Sequence, residues 1–134
     1  MKFAEDGDRP QCGTVYVASP KRHLSITTEG TFQLSNGPLI HHLASSANPL
    51  FESAALAFGS NVVAVVLTGG DGDGSDGVPA VAKVGGTVIV QDPRTALIPE
   101  MPESAIRTGA VDRVLSLPEI AKAIVELTAT WPRG

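Results

Sequence analysis

The chain has 134 residues, of which 43% are hydrophobic and 18% charged, with a formal net charge of -4. These values predict one globular domain over residues 1–134 and exclude a disordered chain. They argue against nucleic acid as a partner, because the basic residues do not cluster on one face. Cys12 is the only cysteine, which excludes an internal disulfide and fits a reducing, cytoplasmic location, and the apolar run Val62 to Leu67 is too short to cross a membrane.

The first predicted elements are short strands. The segment GTVYVAS, Gly13 to Ser19, predicts a strand that ends at Pro20. The next segment, HLSITTEGTFQLSNG, alternates apolar and polar residues on both sides of Glu29 and Gly30. This alternation around a turn signal predicts a β-hairpin.

The segment ANPLFESAALAFGS predicts the first helix. Asn48 is the expected N-cap residue, Pro49 follows in the first turn, and Gly59 ends the helix. The face predicted to pack inward consists of Leu50, Ala54 and Phe58.

From Val62 the pattern changes to strands that alternate with helices. Val62 to Thr68 is almost entirely apolar, which predicts a strand buried on both faces. A short helix from about Asp76 to Val84, the strand TVIVQD, the helix MPESAIRTG and the strand AVDRVLSL follow in turn. The last helix, SLPEIAKAIVELTATW, opens with Ser116 and Glu119 at the spacing of a capping box. Its predicted inner face consists of Ile120, Ile124, Leu127 and Trp131.

This alternation predicts an α/β fold with a doubly wound parallel sheet, to which the hairpin adds an antiparallel pair. Ligands and catalytic groups in such sheets gather outside the carboxyl ends of the strands. The loop TGGDGDGSDG follows the strand Val62 to Thr68 directly. Asp71, Asp73 and Asp76 are therefore predicted to lie at the functional edge of the sheet.

The local pattern of this loop allows a dinucleotide site. Gly72, Gly74 and Gly77 form a G-x-G-x-x-G pattern between a strand and a helix, and Asp92 ends the next strand, where a ribose-binding acid would sit. Three nearby carboxylates oppose this interpretation, because they would repel a pyrophosphate.

Two other sites and one structural explanation are open for the same loop. Asp71, Asp73 and Ser75 have the spacing of the first calcium ligands of an EF-hand, but Ala82 stands where the loop needs a bidentate carboxylate. An aspartate at a strand end can also orient a histidine that activates a nucleophile. Alternatively, the loop is a solvated turn, in which aspartate and glycine are common for backbone reasons alone.

A series of ordered motifs extends well beyond the loop. They are Leu67 to Gly74, Gly85-Gly86, Gln91-Asp92, Met101-Pro102 with Ala105, and Gly109 to Asp112. Upstream of them stand GTVYVASPKRHLSI and NPLFESAALAFG. In this order the motifs resemble the catalytic domain of the chemotaxis receptor methylesterases, the CheB family.

The resemblance implies a doubly wound α/β domain with a Ser-His-Asp triad and no metal or other cofactor. Such enzymes hydrolyse glutamyl methyl esters on the cytoplasmic helices of chemoreceptors and deamidate receptor glutamines. Asp73 matches the triad aspartate, and Gly70 matches the position whose backbone N–H helps to hold the oxyanion. His23 matches a recurring His-Leu pair and not the triad base.

The chain also departs from the family. Family members usually carry Met or Thr at the position of Gly70 and Gly at the position of Asp71. Their serine turn and histidine both precede the part that is matched, so the chain is expected to correspond to the C-terminal two thirds of the domain, without its N-terminal strand-helix units. Ser75, His41 and His42 do not fit the roles of nucleophile and base. We therefore expect this chain to be inactive alone.

Losing interior strands would expose sheet edges and apolar surface, which invite pairing with another chain. The expected partners are chemoreceptor helices, together with either a second copy of the chain or the missing N-terminal segment. Two alternative functions remain: a non-catalytic protein-binding module of the same fold, and a dinucleotide-binding domain.

Overall fold

The computed structural model describes residues 1–18, 22–35, 47–69, 76–129 and 131. The strands are β1 (Lys2–Phe3), β2 (Tyr16–Val17), β3 (His23–Ile26), β4 (Phe32–Ser35), β5 (Val63–Val66), β6 (Thr87–Gln91) and β7 (Arg113–Leu115). The helices are α1 (Ala47–Phe58), α2 (Gly77–Lys83), α3 (Glu100–Arg107) and α4 (Leu117–Thr128), with a 3-10 turn at Pro93–Thr95. No helix within the described ranges is long and apolar enough to cross a membrane.

The second half of the chain forms a parallel sheet, as the alternation of strands and helices predicts. The strands follow the order β5-β6-β7, and each neighbouring pair is parallel. Gly85 and Gly109, with φ angles of +84° and +77°, end α2 and α3 and let the chain turn towards the next strand.

Helices cover both faces of this sheet. One face packs against α1, α2 and α3 in a core made of Ala55, Ala64, Val66, Val78, Val81, Val88, Val90 and Ala105. On the other face, Ile89 packs against Ile120 and Ala123 of α4. The α/β class with a doubly wound parallel sheet is confirmed.

The predicted hairpin is also confirmed. β3 and β4 pair antiparallel, with Ile26 opposite Phe32. The N–H of Thr27 donates to the carbonyl of Thr31 at 2.8 Å, and Gly30 takes a φ of +85°. A left-handed glycine at the end of a three-residue loop is a common way to close a hairpin.

The sequence pattern did not predict the pairing of β1 with β2. These two-residue strands are parallel, with Lys2 opposite Tyr16 and Phe3 opposite Val17. The strand predicted for Gly13 to Ser19 is therefore much shorter, and Ser19 lies outside the described residues.

The packing of α1 corrects the predicted face. Ala55 is buried and Phe58 is 43% exposed, although Phe58 was expected to point inward. The reason is that α1 lies between two cores: Phe51 and Ala55 contact the parallel sheet, whereas Leu50 and Ala57 contact the hairpin side. A single stripe cannot describe a helix that packs in two directions.

Two further predictions about burial need correction. In β5, Ala64 and Val66 are buried, but Val63 and Val65 are only half-buried, because β5 has one neighbour among the described strands. In α4, the inner face runs through Ile120, Ala123 and Leu127, and the predicted Ile124 lies at its exposed margin.

Candidate active site

The carboxyl ends of β5 and β6 are joined by a buried side-chain amide. Gln91, the last residue of β6, is 3% exposed. Its Oε1 accepts the backbone N–H of Thr68 at 3.0 Å, and its Nε2 donates to the carbonyl of Thr95 at 3.2 Å. Gln91 thus fixes the exit of β5 to the 3-10 turn that follows β6.

The exit of β5 is also bonded to the segment before α3. The hydroxyl of Thr68 donates to the carbonyl of Ile98 at 3.1 Å and accepts the N–H of Ile98 at 2.8 Å. The N–H of Gly69 donates to the same carbonyl at 2.9 Å, and its own carbonyl accepts the N–H of Met101 at 2.9 Å. A Cβ at Gly69 would lie only 2.5 Å from the sulfur of Met101, so glycine permits this close approach.

The start of α2 is held by a side chain from α1. Oδ1 of Asn48 accepts the backbone N–H of Asp76 at 3.1 Å and that of Gly77 at 2.8 Å. A Cβ at Gly77 would come within 2.6 Å of the Cβ of Phe51. Asn48 was predicted to cap its own helix; it lies within α1 and caps α2 instead, because the packing of α1 on α2 brings it there. The described residues that flank positions 70–75 are therefore firmly bonded on both sides.

Asp92, the acid of the dinucleotide hypothesis, is paired within the chain. Its carboxylate accepts hydrogen bonds from Nε and the terminal nitrogen of Arg94, the latter at 2.6 Å, and from the backbone N–H of Arg94. These bonds and the charge of the guanidinium hold the pKa of Asp92 below its ordinary value and raise the pKa of Arg94. Asp92 therefore closes the turn after β6.

Most of the predicted site residues lie outside the described residues. These are Gly70, Asp71, Gly72, Asp73, Gly74, Ser75, His41 and His42. Among the predicted residues within the described ranges, Gly77 opens α2, and the buried His23 lies on β3 opposite Ser35. No cluster of three or more His, Cys, Asp or Glu that could hold a metal occurs in the described part of the chain.

The sequence pattern did not identify the residues that hold the two ends of the loop. Gln91 carried a signal, since a polar residue that ends an apolar parallel strand needs a partner at the sheet edge. Thr68 and Asn48 carried no such signal, because their partners are backbone groups 28 to 30 residues away in the chain.

The sequence matches a family model described as CheB methylesterase over residues 1–124. The chain belongs to the CheB methylesterase family. A putative protein-glutamate methylesterase/protein-glutamine glutaminase of Leptospira interrogans is 40% identical over 127 residues, which cover 95% of this chain and 66% of that protein. A protein-glutamate methylesterase/protein-glutamine glutaminase of Pyrococcus abyssi is 38% identical over 128 residues, 93% of this chain and 35% of that protein.

The fold is shared with a solved member of the family. The crystal structure of the Thermotoga maritima CheB methylesterase catalytic domain matches with a TM-score of 0.88 and 34% sequence identity. The match covers 93% of this chain and 68% of that domain. This CheB-family chain thus spans about two thirds of the solved domain and of the Leptospira protein, and about a third of the Pyrococcus protein.

Proposed function

We propose that this chain forms part of an enzyme that hydrolyses protein glutamyl methyl esters and deamidates protein glutamines. The family match over residues 1–124 carries the proposal, and several relatives bear the name protein-glutamate methylesterase/protein-glutamine glutaminase. The anchored carboxyl edge of the parallel sheet supports it, since catalytic groups of doubly wound folds gather at this edge. The substrates are helices of chemoreceptors, which the enzyme meets in the cytoplasm.

Asp73 is the acid of the Ser-His-Asp triad in this proposal. A carboxylate in this role holds the histidine in the productive tautomer and stabilises the imidazolium that forms when the serine attacks the ester carbonyl. The tetrahedral intermediate then expels methanol from a methyl ester, or ammonia from a glutamine, and water hydrolyses the acyl-enzyme. The hydrogen bonds of Thr68 and Asn48 hold the described segments on either side of residues 70–75 at the carboxyl edge of the sheet, and this supports the proposal.

Gly70 supplies a backbone N–H to the oxyanion hole. Such a donor stabilises the negative charge that develops on the carbonyl oxygen in the transition state. Any residue with an N–H can perform this role, so glycine is chemically adequate at this position. A carboxylate at Asp71 would disfavour the oxyanion if it pointed inward, so the proposal requires the Asp71 side chain to point away from the reacting carbonyl.

The nucleophilic serine and the basic histidine come from a different segment in this proposal. That segment corresponds to the part of the family domain that this chain does not match. Because triad members act as one unit, the chain alone is proposed to have little hydrolytic activity.

The test is methanol release from a receptor helix that carries glutamyl methyl esters. The chain is assayed alone and with a polypeptide of about 65 residues, the part of the Leptospira interrogans relative that this chain does not match. We expect activity only from the mixture. Asp73→Asn should lower kcat about 10⁴-fold, as this change of the triad acid does.

Glu126→Gln, an exposed change on α4, is the matched control and should leave kcat unchanged. The proposal is contradicted if the mixture with the wild-type chain releases no methanol. It is also contradicted if Asp73→Asn leaves kcat undiminished. Retained binding of the receptor helix in that case would favour the non-catalytic module.

A further inference from the structure

Gly69 and Met101 approach each other so closely that no Cβ fits between them. Gly69 follows β5, and Met101 lies in the first turn of α3. A Cβ built on Gly69 would lie 2.5 Å from the sulfur of Met101 and 3.3 Å from its Cγ. The φ angle of Gly69 is outside the left-handed region, so the backbone conformation itself does not call for glycine. The side chain of Met101 is therefore what requires glycine at position 69.

Backbone hydrogen bonds accompany this contact. The N–H of Gly69 donates to the carbonyl of Ile98 at 2.9 Å, and the carbonyl of Gly69 accepts the N–H of Met101 at 2.9 Å. Met101 is half-buried and packs against the core between the sheet and the helices α1, α2 and α3. We call these contacts of Gly69 with Ile98 and Met101 the clamp. The clamp holds the N–H, the Cα and the carbonyl of Gly69.

The clamp acts on the peptide group that contains the proposed oxyanion donor. The carbonyl of Gly69 and the N–H of Gly70 belong to one peptide group, and in a planar trans peptide these two bonds point in opposite directions. A partner that fixes the carbonyl therefore also fixes the direction of the N–H. This direction matters because an oxyanion donor is effective when it is aimed at the reacting oxygen before the reaction starts.

We infer that Met101 is a positioning residue for the oxyanion donor. Its N–H and its thioether hold the carbonyl and the Cα of Gly69, and the shared peptide group passes this restraint to the N–H of Gly70. The inference rests on the proposed function, which gives Gly70 its role. Met101 acts on the donor and not on the substrate, so its loss lowers kcat and leaves KM nearly unchanged.

Two substitutions and their combination test the inference by methanol release, with the full chain mixed with the unmatched part of the Leptospira interrogans relative. Gly69→Ala places a Cβ against the sulfur and should lower kcat about 100-fold, the loss that a displacement of about 1 Å can cause. Met101→Ala should lower kcat only about tenfold, because the backbone N–H remains. In the double variant the Cβ has room, so kcat should rise at least about tenfold above that of Gly69→Ala.

Ile106→Ala is the matched control for Met101→Ala. It also truncates an apolar side chain on α3, at a position 36% exposed, and should leave kcat unchanged. A purely structural role of Met101 predicts a different double variant, because the losses of kcat from two independent packing defects would add. Far-UV circular dichroism verifies that each variant is folded before it is assayed.

Hydrogen exchange of the ¹⁵N-labelled chain tests the clamp without any activity. The amides of Gly69 and Met101 should exchange slowly in the wild type, because each donates to a backbone carbonyl. In Gly69→Ala, exchange at Met101 should become at least about tenfold faster, and in the double variant it should return to within about threefold of the wild type.

Three results would overturn the inference. The first is additive loss of kcat in the double variant, and the second is a loss in Met101→Ala that appears in KM and not in kcat. The third is exchange at Met101 that Gly69→Ala leaves unchanged. A wild-type mixture that releases no methanol contradicts the proposed function instead, and in that case the exchange rates still decide whether the clamp forms.

Discussion

At the scale of single residues, the chain depends on a few buried polar groups whose partners are distant in sequence. Gln91 illustrates this, because its amide oxygen accepts the backbone N–H of Thr68, 23 residues away and just after β5. Its amide nitrogen donates to the carbonyl of Thr95 after β6. Removal of a buried partner leaves such groups without hydrogen bonds, which costs more free energy than the bond itself contributes.

We therefore expect Gln91→Ala to lower the free energy of unfolding by about 0.5–1.5 kcal/mol, the usual net contribution of a hydrogen bond, because the groups that it leaves unpaired are only part-buried. Urea unfolding at neutral pH measures the change. Gln33→Ala, at an exposed position of β4, is the control and should change the stability by less than about 0.5 kcal/mol. Equal losses for the two variants would show that the amide of Gln91 contributes no specific stabilisation.

Glu119 provides a residue-scale test of pH dependence. Its carboxylate accepts the hydroxyl of Ser116 at 2.8 Å and the backbone N–H of Ser116 at 3.1 Å, and these bonds lower its pKa. A lowered pKa in the folded state means that the stabilisation is present above the ordinary glutamate pKa. It is lost as the pH falls through the lower, native pKa.

Ser116→Ala should move the pKa of Glu119 up towards the ordinary value, because the hydroxyl bond is the largest cause of its depression. The stability of the variant should then fall less steeply with acid than that of the wild type. NMR titration of the Glu119 side chain measures the pKa. Ser104→Ala on α3 is the control, and a Glu119 pKa that is unchanged in Ser116→Ala would contradict the prediction.

At the scale of elements, α1 connects the two halves of the chain. Its side chains contact the hairpin core in one direction and the parallel sheet in the other, and Asn48 caps α2. A seven-residue helix is marginal alone, so α2 depends on this cap and on packing against α1 and the sheet.

Asn48→Ala should lower the free energy of unfolding by about 0.5–2 kcal/mol, the usual cost of a lost N-cap acceptor. Asn48→Asp should retain most of the stability, because it keeps an acceptor and places negative charge at the start of α2. Thermal unfolding compares the two variants with the wild type. A loss in Asn48→Asp as large as that in Asn48→Ala would mean that the side chain does not act as a cap.

At the scale of the whole molecule, stability should be uneven. β6 is bonded to strands on both sides, and Val88, Ile89 and Val90 are fully buried. β1 and β2 form a two-residue pair with one bare face. Local opening is easiest where few apolar groups are buried and backbone bonds reach solvent.

Native-state hydrogen exchange should therefore find the amides of β6 the slowest of the described strands and those of β1 and β2 among the fastest. The difference should exceed tenfold in the isolated chain. Exchange of β1 and β2 as slow as that of β6 would show that the whole described chain opens as one cooperative unit.

The sequence by itself determined the local elements and the fold class. Apolar runs of strand length alternating with amphipathic helical segments led to the parallel sheet, and glycine at Gly30, Gly85 and Gly109 marked the turns, because these patterns follow from local backbone geometry. Ordered motifs such as Gln91-Asp92 and Met101-Pro102 led to the family, which the match over residues 1–124 confirmed.

Only the tertiary structure decided which side chains meet. In the structure, Asn48 caps α2 and not α1, and Phe58 is partly exposed. β1 pairs with β2, and Gln91 at the end of β6 bonds to Thr68 after β5. These contacts join residues that are far apart in sequence, and their energies depend on how elements pack. No local pattern of residues encodes that packing, and the free energy of the folded chain is what selects it.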